Sequence, residues 1–449
     1  MGRHLSAKRQ RCNSRLPIFR LPNELLVEIF HLILVADGSY FDDLLSLAMI
    51  CKDWSIIVSE TPPLWALVHS EQPRSIYSTA LAKSKRLPLR IEFQDLQSED
   101  EISYFLNSIY EEVHRWQVVE LEFRNPYSFQ TLKRIESSSA PSLEDLVVDC
   151  HDCNIDIDIR SITLLQGGTK RLRRLSLYRV PILWTSSLLF QLRYLTIVGY
   201  NVRGPSEAEA ATILRGCPDL VELHFHYTEF VWEIQPTPMA PIDLPSLVKL
   251  NLYVPPHIME AILALIRIPA CRKLVITGQA RFSTIFPKAI HHLAPILHSI
   301  VRSAPAISIK SLNSYVMVQA NDDTTTFLRL NFQADWLMDI LEWSLGDPHL
   351  GPSLPAISFS AEHFQGDLIT VLEKLPSVTG LNLGEGGDEV VKFLTKLLMK
   401  DGSHRWPCLP YSCYHSSTAT LSAHISSYGW SRIDAERGVR GKSVCCRAS

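Results

Sequence analysis

The sequence lacks the run of about 18 apolar residues that a membrane-spanning helix needs, and its basic N-terminus is not followed by a secretory signal pattern. It also lacks any Asn-x-Ser/Thr acceptor for N-glycosylation. Its 10 cysteines are spread too thinly over 449 residues for a disulfide scaffold. These absences indicate a reducing compartment, so we expect a cytoplasmic or nuclear protein, or both, without a membrane partner.

The catalytic motifs HExxH, GxSxG and GxGxxG are absent as well. Cys150 and Cys153 have the C-x-x-C spacing of redox and zinc sites, but no second pair follows at zinc spacing. A formal charge of −3 does not suit the strongly basic surface of a nucleic-acid-binding protein. We therefore expect no enzymatic activity, no metal, no cofactor and no nucleic-acid partner.

Basic residues are concentrated at the N-terminus, where six precede the first acidic residue, Glu24. This arm is either an import signal or a solvated tail. Two short patterns resemble lipidation signals, one beginning at Met1 and Gly2 and one at Cys446. We expect neither to be used, because Arg3 and Arg447 are poor residues at their positions in those patterns.

The stretch LPNELLVEIFHLILV, residues 21–35, predicts a helix with a wide apolar surface. On a helical wheel with about 3.6 residues per turn, its apolar side chains cover an arc of roughly 220°. That arc contains Leu25, Leu26, Val27, Ile29, Phe30, Leu32, Ile33 and Leu34. Because a stripe of about 100° is enough to bury a helix against its own domain, the remaining apolar surface points to a second partner.

A second helix is expected in LLSLAMICKDWSIIVSE, residues 44–60, with Asp42 or Asp43 as its N-cap. It is apolar on more than one side, and it ends at TPPLW, residues 61–65, because two prolines cannot continue a helix. Residues 17–70 would then form a unit of two or three short helices. A unit of about 60 residues is too small to bury this much apolar surface alone.

Short runs with a Leu-x-x-Leu-x-Leu pattern follow after about residue 87 and predict strands. The runs are LEDLVV (143–148), LRRLSL (172–177), LRYLTI (192–197), LVELHF (220–225), LVKLNL (247–252), CRKLVI (271–276) and VTGLNL (378–383), with QVVELEF (117–123) as an earlier member. Their central leucines, from Leu146 to Leu274, lie 29, 20, 28, 27 and 24 residues apart. This is the period of leucine-rich repeats, each of which adds one strand to a parallel sheet.

The expected fold is therefore α/β, with a small N-terminal helical unit and an irregular leucine-rich-repeat solenoid of concave parallel strands and convex helices. Between about residues 280 and 375, 291–303 and 334–345 are expected to be helices, and LRLNF and AISFS strands. The expected boundaries are a basic flexible tail at 1–16, the helical unit at 17–70, the repeat domain at 71–400 and an aperiodic tail at 401–449. For the last segment two explanations stay open: a disordered tail, or a translated stretch that is not the natural one.

The succession LPNELLVEIF, LLSLAMICKDWSIIV and TPPLWALV resembles the F-box of large fungal protein families, in which degenerate leucine-rich repeats follow the F-box. The resemblance implies docking to the Skp-type adaptor of a cullin-RING ubiquitin ligase, with a protein substrate bound by the repeats. The implied adaptor-binding residues are Leu21, Pro22, Leu25, Ile29, Phe30, Leu47, Ile50, Cys51, Trp54, Pro62, Leu64 and Trp65. The aromatic and leucine side chains among them would be the anchors of that interface.

In each repeat the leucines are expected to point into the core and the alternate residues outward. The predicted substrate-binding residues on this outward face are Arg174, Tyr178, Tyr194, His224, His226, Lys249 and Tyr253. Two alternatives stay open. The outward face is a solvated surface without a ligand, or the helical unit is only the cap of a repeat scaffold with no ligase role.

Overall fold

The computed structural model describes residues 17–36, 40–94, 98–124, 129–151, 162–199, 204–227, 240–277, 295–296 and 299–300, together with six strands between residues 306 and 424. The chain divides into two compact units, residues 1–189 and 190–449. The predicted tail at 1–16 lies outside the described residues. Of the predicted tail at 401–449, the strand Leu421–His424 is described.

The first unit combines helices with a parallel sheet. Its helices are α1 (Asn23–Ala36), α2 (Tyr40–Ile50), α3 (Lys52–Glu60), α4 (Arg74–Lys83) and α5 (Glu99–Glu111). Its strands are β1 (Leu67–His69), β2 (Leu89–Gln94), β3 (Trp116–Phe123), β4 (Asp145–Cys150) and β5 (Arg174–Tyr178), and they pair in parallel in chain order. Short 3-10 turns occupy Pro17–Arg20, Pro62–Trp65, Val113–Arg115, Thr131–Ile135 and Ser187–Leu189.

Aromatic side chains form much of the core between this sheet and α5. Phe93 and Phe123 lie on neighbouring strands with their ring centroids 5.2 Å apart, and Phe105 of α5 stacks on Phe93 at 5.8 Å. All three are almost completely buried. The strands alternate buried and outward residues because successive side chains of a strand point to opposite faces.

The prediction of a single second helix at 44–60 is wrong, because the structure has two helices there. The chain is helical from Tyr40 to Ile50, extended at Cys51, and helical again from Lys52. Cys51 has φ −158° and ψ 168°, and its Sγ accepts a hydrogen bond from Trp54 N at 3.4 Å, so it caps α3. Asp42 and Asp43 lie inside the first turn of α2 rather than at its N-cap. The predicted stop before the prolines is confirmed, since α3 ends at Glu60.

The second unit contains a mixed sheet. Its helices are α6 (Glu207–Arg215) and α7 (Pro256–Leu265). Its strands are β6 (Tyr194–Gly199), β7 (Glu222–Tyr227), β8 (Ile242–Asp243), β9 (Lys249–Tyr253), β10 (Ile266–Arg267), β11 (Lys273–Thr277), β12 (Ala306–Leu312), β13 (Tyr315–Asn321), β14 (Thr326–Gln333), β15 (Ala356–Ala361), β16 (Val378–Leu383) and β17 (Leu421–His424). The strand order is β6-β7-β9-β11-β14-β13-β12-β15-β16-β17, and β8 and β10 form a separate parallel pair.

The predicted repeat strands are confirmed as strands, and their central leucines lie in register. Leu195, Leu223, Leu250 and Leu274 are direct neighbours across β6, β7, β9 and β11, and all are buried. Leu146 and Leu175 are paired in the same way in the first unit. Between the strands of the second unit, α6 begins with a capping box, in which Ser206 and Glu209 bond each other's backbone N–H groups.

The sequence predicts parallel strands, but the sheet of the second unit also contains antiparallel pairs. The strands β12, β13 and β14 pair antiparallel, and so do β16 and β17. Only two residues separate Leu312 from Tyr315, which is enough for a hairpin but far too short for the crossover that parallel neighbours need. The strands expected at LRLNF and AISFS are confirmed as β14 and β15. Apart from 295–296 and 299–300, which are helical, the predicted helices at 291–303 and 334–345 lie outside the described residues.

Candidate functional site

The three N-terminal helices pack around a small aromatic core. Leu26, Phe30 and Leu34 recur every four residues along one side of α1, and none is more than 3% exposed. The ring centroid of Phe30 lies 4.8 Å from that of Trp54 in α3, and Phe19 contacts the same indole at 5.9 Å. These contacts fix which side of α1 faces the interior.

The chain after α3 folds back onto the helices through Trp65. Its indole Nε1 donates a hydrogen bond of 2.6 Å to the carbonyl of Val58, and both residues are buried. The ammonium group of Lys83, at the end of α4, lies 4.4 Å from the centroid of the Trp65 indole, which is a cation–π contact. The hydroxyl of Tyr40 donates to the carbonyl of Leu64, and burial raises the pKa of Tyr40 to about 12.

A second apolar stripe runs along the outer side of α1. Leu25, Ile29, Leu32 and Ile33 follow the i, i+4, i+7, i+8 spacing of one helix face. At 100° per residue, this stripe is centred ~115° away from the buried one. Leu25 is 50% exposed, Leu32 74% and Ile33 41%, and Ile29 is half-buried. We call these four residues the outer stripe.

Further apolar side chains are exposed on the next two helices. Leu45, Met49 and Ile50 of α2 and Ile56 of α3 are between 39% and 84% exposed. With the outer stripe, they account for all but two of the large apolar side chains that are exposed in the described part of the chain; the other two are Leu183 and Val248. Exposed apolar surface of this density usually marks an interaction site.

The twelve predicted adaptor-binding residues fall into two groups. Seven reach the surface at least in part: Leu21, Pro22, Leu25, Ile29, Ile50, Cys51 and Pro62. Five are at most 6% exposed and belong to the core: Phe30, Leu47, Trp54, Leu64 and Trp65. This differs from the expectation that the aromatic residues are anchors of the interface, because Phe30 packs on Trp54 and Trp65 lies beside Phe41 inside the unit. Their place is to hold the helices that carry the exposed residues.

Five exposed apolar residues are missing from the predicted set: Leu32, Ile33, Leu45, Met49 and Ile56. The two on α1 could have been found, because their spacing from Leu25 and Ile29 places all four on one arc of the wheel. Which side chains of α2 and α3 are exposed depends on the break at Cys51, because a helical wheel drawn through residues 44–60 does not apply across that extended residue. Apolar periodicity alone gave no sign of that break.

The outward face of the sheet in the second unit carries the predicted residues Tyr194, His224, His226, Lys249 and Tyr253. Lys249 Nζ lies 3.0 Å from Oε2 of Glu222, its direct neighbour on β7, and His224 Nε2 lies 3.6 Å from the same oxygen. The rings of His226 and Tyr253 meet edge to face with centroids 4.1 Å apart. Burial lowers the pKa of both histidines, so their neutral forms are favoured.

The outward face of the sheet in the first unit holds the other two predicted residues, Arg174 and Tyr178, among ion pairs. Arg174 Nε lies 3.2 Å from Asp145 Oδ2, and Tyr178 is the strand neighbour of Asp149. Further pairs join Arg90 to Glu92, Arg124 to Glu122 and Arg179 to Asp149. Burial raises the pKa of Glu120, Asp145 and Asp149. Most charges on this face are thus compensated within it.

The Cys150–Cys153 segment is described as far as His151. Cys150 is buried at the end of β4, and its carbonyl accepts a hydrogen bond of 3.0 Å from Arg179 Nε. Across the described ranges, no group of three or more His, Cys, Asp or Glu side chains is placed to hold a metal ion. None of the described helices is long and apolar enough to cross a membrane.

The helices with the exposed apolar surface coincide with a known family of domains. Residues 18–70 match the F-box-like family model. The comparison with curated proteins gave no match. The matched range begins in the Pro17–Arg20 turn and ends one residue after β1. The chain therefore carries an F-box-like domain at residues 18–70, made of α1, α2, α3, the Pro62–Trp65 turn and β1.

Proposed function

We propose that the chain is the substrate-receptor subunit of an SCF-type, cullin-RING ubiquitin ligase. Its F-box-like domain docks the Skp-type adaptor, and the outward face of the leucine-rich-repeat-like sheet docks a protein substrate. The chain performs no chemical step in this proposal. It raises the effective concentration of the substrate near the ubiquitin carrier of the ligase.

The observation that carries the proposal is the outer stripe of α1. A helix that only capped the sheet would bury one side and expose a polar one. Instead Leu32 is 74% exposed and Leu25 50%, while Phe30 on the adjacent side is completely buried. The surface left uncovered is thus apolar and lies within the F-box-like domain, where the family resemblance implies adaptor contact.

The structure also refines which residues are expected to touch the adaptor. We assign direct contact to the outer stripe and to the exposed residues Pro22, Leu45, Met49, Ile50 and Ile56. Desolvated aliphatic and aromatic side chains dominate interface energies only where a partner can reach them. The five buried residues of the original set contribute by fixing the positions of α1, α2 and α3.

The proposal is tested with the purified full-length chain and the Skp-type adaptor of its own organism, by pulldown and by titration. In the first variant, Leu25→Asp and Leu32→Asp are combined, which places two charges on the outer stripe. The matched control combines Leu183→Asp and Val248→Asp, which changes the two other exposed large apolar residues of the described part of the chain, both outside the F-box-like domain.

We expect the outer-stripe variant to lose adaptor affinity by about a hundredfold or more, since single central contacts can exceed 2 kcal/mol, and the control to bind as the wild type does. Circular dichroism of each variant checks that the helices persist. If the folded wild type failed to bind the adaptor, the receptor role would be wrong. If the outer-stripe variant bound the adaptor as well as the control does, the assignment of adaptor contact to the outer stripe would be wrong.

A repeat scaffold without a ligase role is the second candidate, and one observation favours it. The F-box-like domain is joined to the sheet, because β1 pairs with β2 and Lys83 of α4 lies on the Trp65 ring. This is how the cap of a repeat stack would be attached. The adaptor titration separates the two candidates, since a cap has no reason to bind the adaptor.

A further inference from the structure

The outward residues of β6, β7, β9 and β11 form a four-strand surface, which we call the β6–β11 face. One of its rows runs Tyr194, Glu222, Lys249 and Lys273 in direct strand register. The next rows contain His224, and then His226 with Tyr253. All these side chains are partly exposed, whereas the residues between them are buried in the core.

The charge of this face is positive. Within these four strands, Glu222 is the single carboxylate that faces outward, against Lys249 and Lys273. Lys249 Nζ already lies 3.0 Å from the Glu222 carboxylate, so the charge of Lys273 is in excess. The positive charges of both lysines act on the middle of the face. Burial is the main cause of the lowered pKa of His224, and the charges of Lys249 and Lys273 lower this pKa further.

The outward face of the first unit carries more charged side chains, but most of them are paired with one another. Its strands β2, β3 and β4 present five carboxylates outward, Glu92, Glu120, Glu122, Asp145 and Asp149. All but Glu120 are ion-paired, with Arg90, Arg124, Arg174 and Arg179. Burial raises the pKa of Glu120, and the neighbouring carboxylate of Glu92 raises it further. The four arginines of that face are thus already paired with its own carboxylates, so an acidic ligand would find its cationic partner on the β6–β11 face.

We propose that the β6–β11 face binds an acidic, extended segment of the substrate protein. The inference rests on the proposed receptor function and names the class of substrate for it. Lys273 and Lys249 would pair with carboxylates of the segment, and the edge-to-face pair of His226 and Tyr253 would pack against its apolar atoms. Charge complementarity of this kind selects partners more than it adds affinity.

The size of the face sets the length of the segment. Four strands about 4.8 Å apart span about 15 Å, which about five residues of extended chain can cross. A suitable probe is a displayed library of random peptides of about seven residues. The selection uses the full-length chain bound to the adaptor.

Three samples are compared: the wild type, a Lys249→Gln, Lys273→Gln variant and a Lys133→Gln, Lys170→Gln control. The control removes the same charge from two exposed lysines of the first unit. We expect peptides selected by the wild type and by the control to be rich in Asp and Glu, and those selected by the first variant to lose that enrichment. An acidic peptide from the wild-type selection should bind the first variant about fivefold or more weakly and should lose affinity with added salt.

The proposal would be overturned if the wild type selected neutral or basic peptides, or selected none, or if the Lys249→Gln, Lys273→Gln variant kept the acidic preference. Adaptor retention is measured in the same samples. A wild type that holds the adaptor but shows no acidic preference would refute only this inference. Failure of the wild type to hold the adaptor would refute the receptor function, whatever the peptides show; the selection is then repeated on the free chain.

Discussion

Truncation of side chains on the two sides of α1 should affect stability and adaptor affinity in opposite order. Phe30 is completely buried and its ring lies 4.8 Å from Trp54, whereas Leu32 is 74% exposed. Replacing a buried Phe by Ala costs about 3 to 5 kcal/mol, of which about 0.5 to 1.5 comes from the aromatic pair. Full burial of Leu is worth about 1.5 to 3 kcal/mol, so the quarter of Leu32 that is covered gives about 0.5 kcal/mol.

The assay is urea unfolding of the full-length variants Phe30→Ala and Leu32→Ala. With slopes of about 2 kcal/mol per molar urea, Phe30→Ala should lower the midpoint of the first unit by about 2 M and Leu32→Ala by about 0.2 M. In the adaptor titration the order of the two effects should be reversed for any Phe30→Ala that remains folded, because in the proposed complex Leu32 would touch the adaptor and Phe30 would only position α1.

A Leu32→Ala cost equal to or above that of Phe30→Ala would refute this assignment of the two sides. It would mean that the outer stripe is covered by the chain itself. The unpartnered surface, on which the receptor proposal depends, would then not exist.

Three further outcomes are expected from the same structure. Trp65→Phe removes the indole donor of the hydrogen bond to Val58 and should lower the free energy of unfolding in urea by about 1 to 3 kcal/mol. Trp54→Phe should cost less, because the buried Nε1 of Trp54 has no hydrogen-bond partner among the described residues. Equal costs would contradict the hydrogen-bond assignment. Burial raises the pKa of Tyr40 to about 12, so above pH 10 the unfolded chain loses this proton before the folded one and the free energy of unfolding falls. In Tyr40→Phe the free energy of unfolding should fall less steeply between pH 10 and 12. Identical slopes in the variant and the wild type would refute the shift. Glu120 has a raised pKa, so its charged form destabilises the folded state and Glu120→Gln should raise the urea midpoint at pH 7. The gain should disappear as the pH falls and Glu120 of the wild type becomes protonated. A larger gain at pH 4 than at pH 7 would contradict the raised pKa.

Much of the fold was predictable because strand periodicity is local. The pattern around Leu195, Leu223 and Leu250 needs only alternate residues to place a strand and its buried side. The strand β13 lacks that leucine pattern, and its direction depends on a two-residue connection whose meaning is clear only once both strands are recognised.

The candidate site was harder to predict, since burial is a tertiary property. A wheel shows that Leu25 and Phe30 both lie on the apolar arc of α1, but it cannot say which one meets Trp54. That choice depends on α3, and the position of α3 depends on the extended residue Cys51. The sequence therefore identified the domain and its excess of apolar residues, and only the packing separated the buried side chains from the exposed ones.

The junction after the F-box-like helices contains no linker. Trp65 is fixed by Val58 and Lys83, and β1 begins only two residues later, already hydrogen-bonded to β2. A flexible tether would let a receptor sample many distances and average its reach over them. The F-box-like helices are therefore joined to the first strands by direct contacts. If the chain acts as the proposed receptor, this junction would fix the orientation of the first strands relative to the bound adaptor, and that geometry would restrict which substrate lysines can reach the ubiquitin carrier.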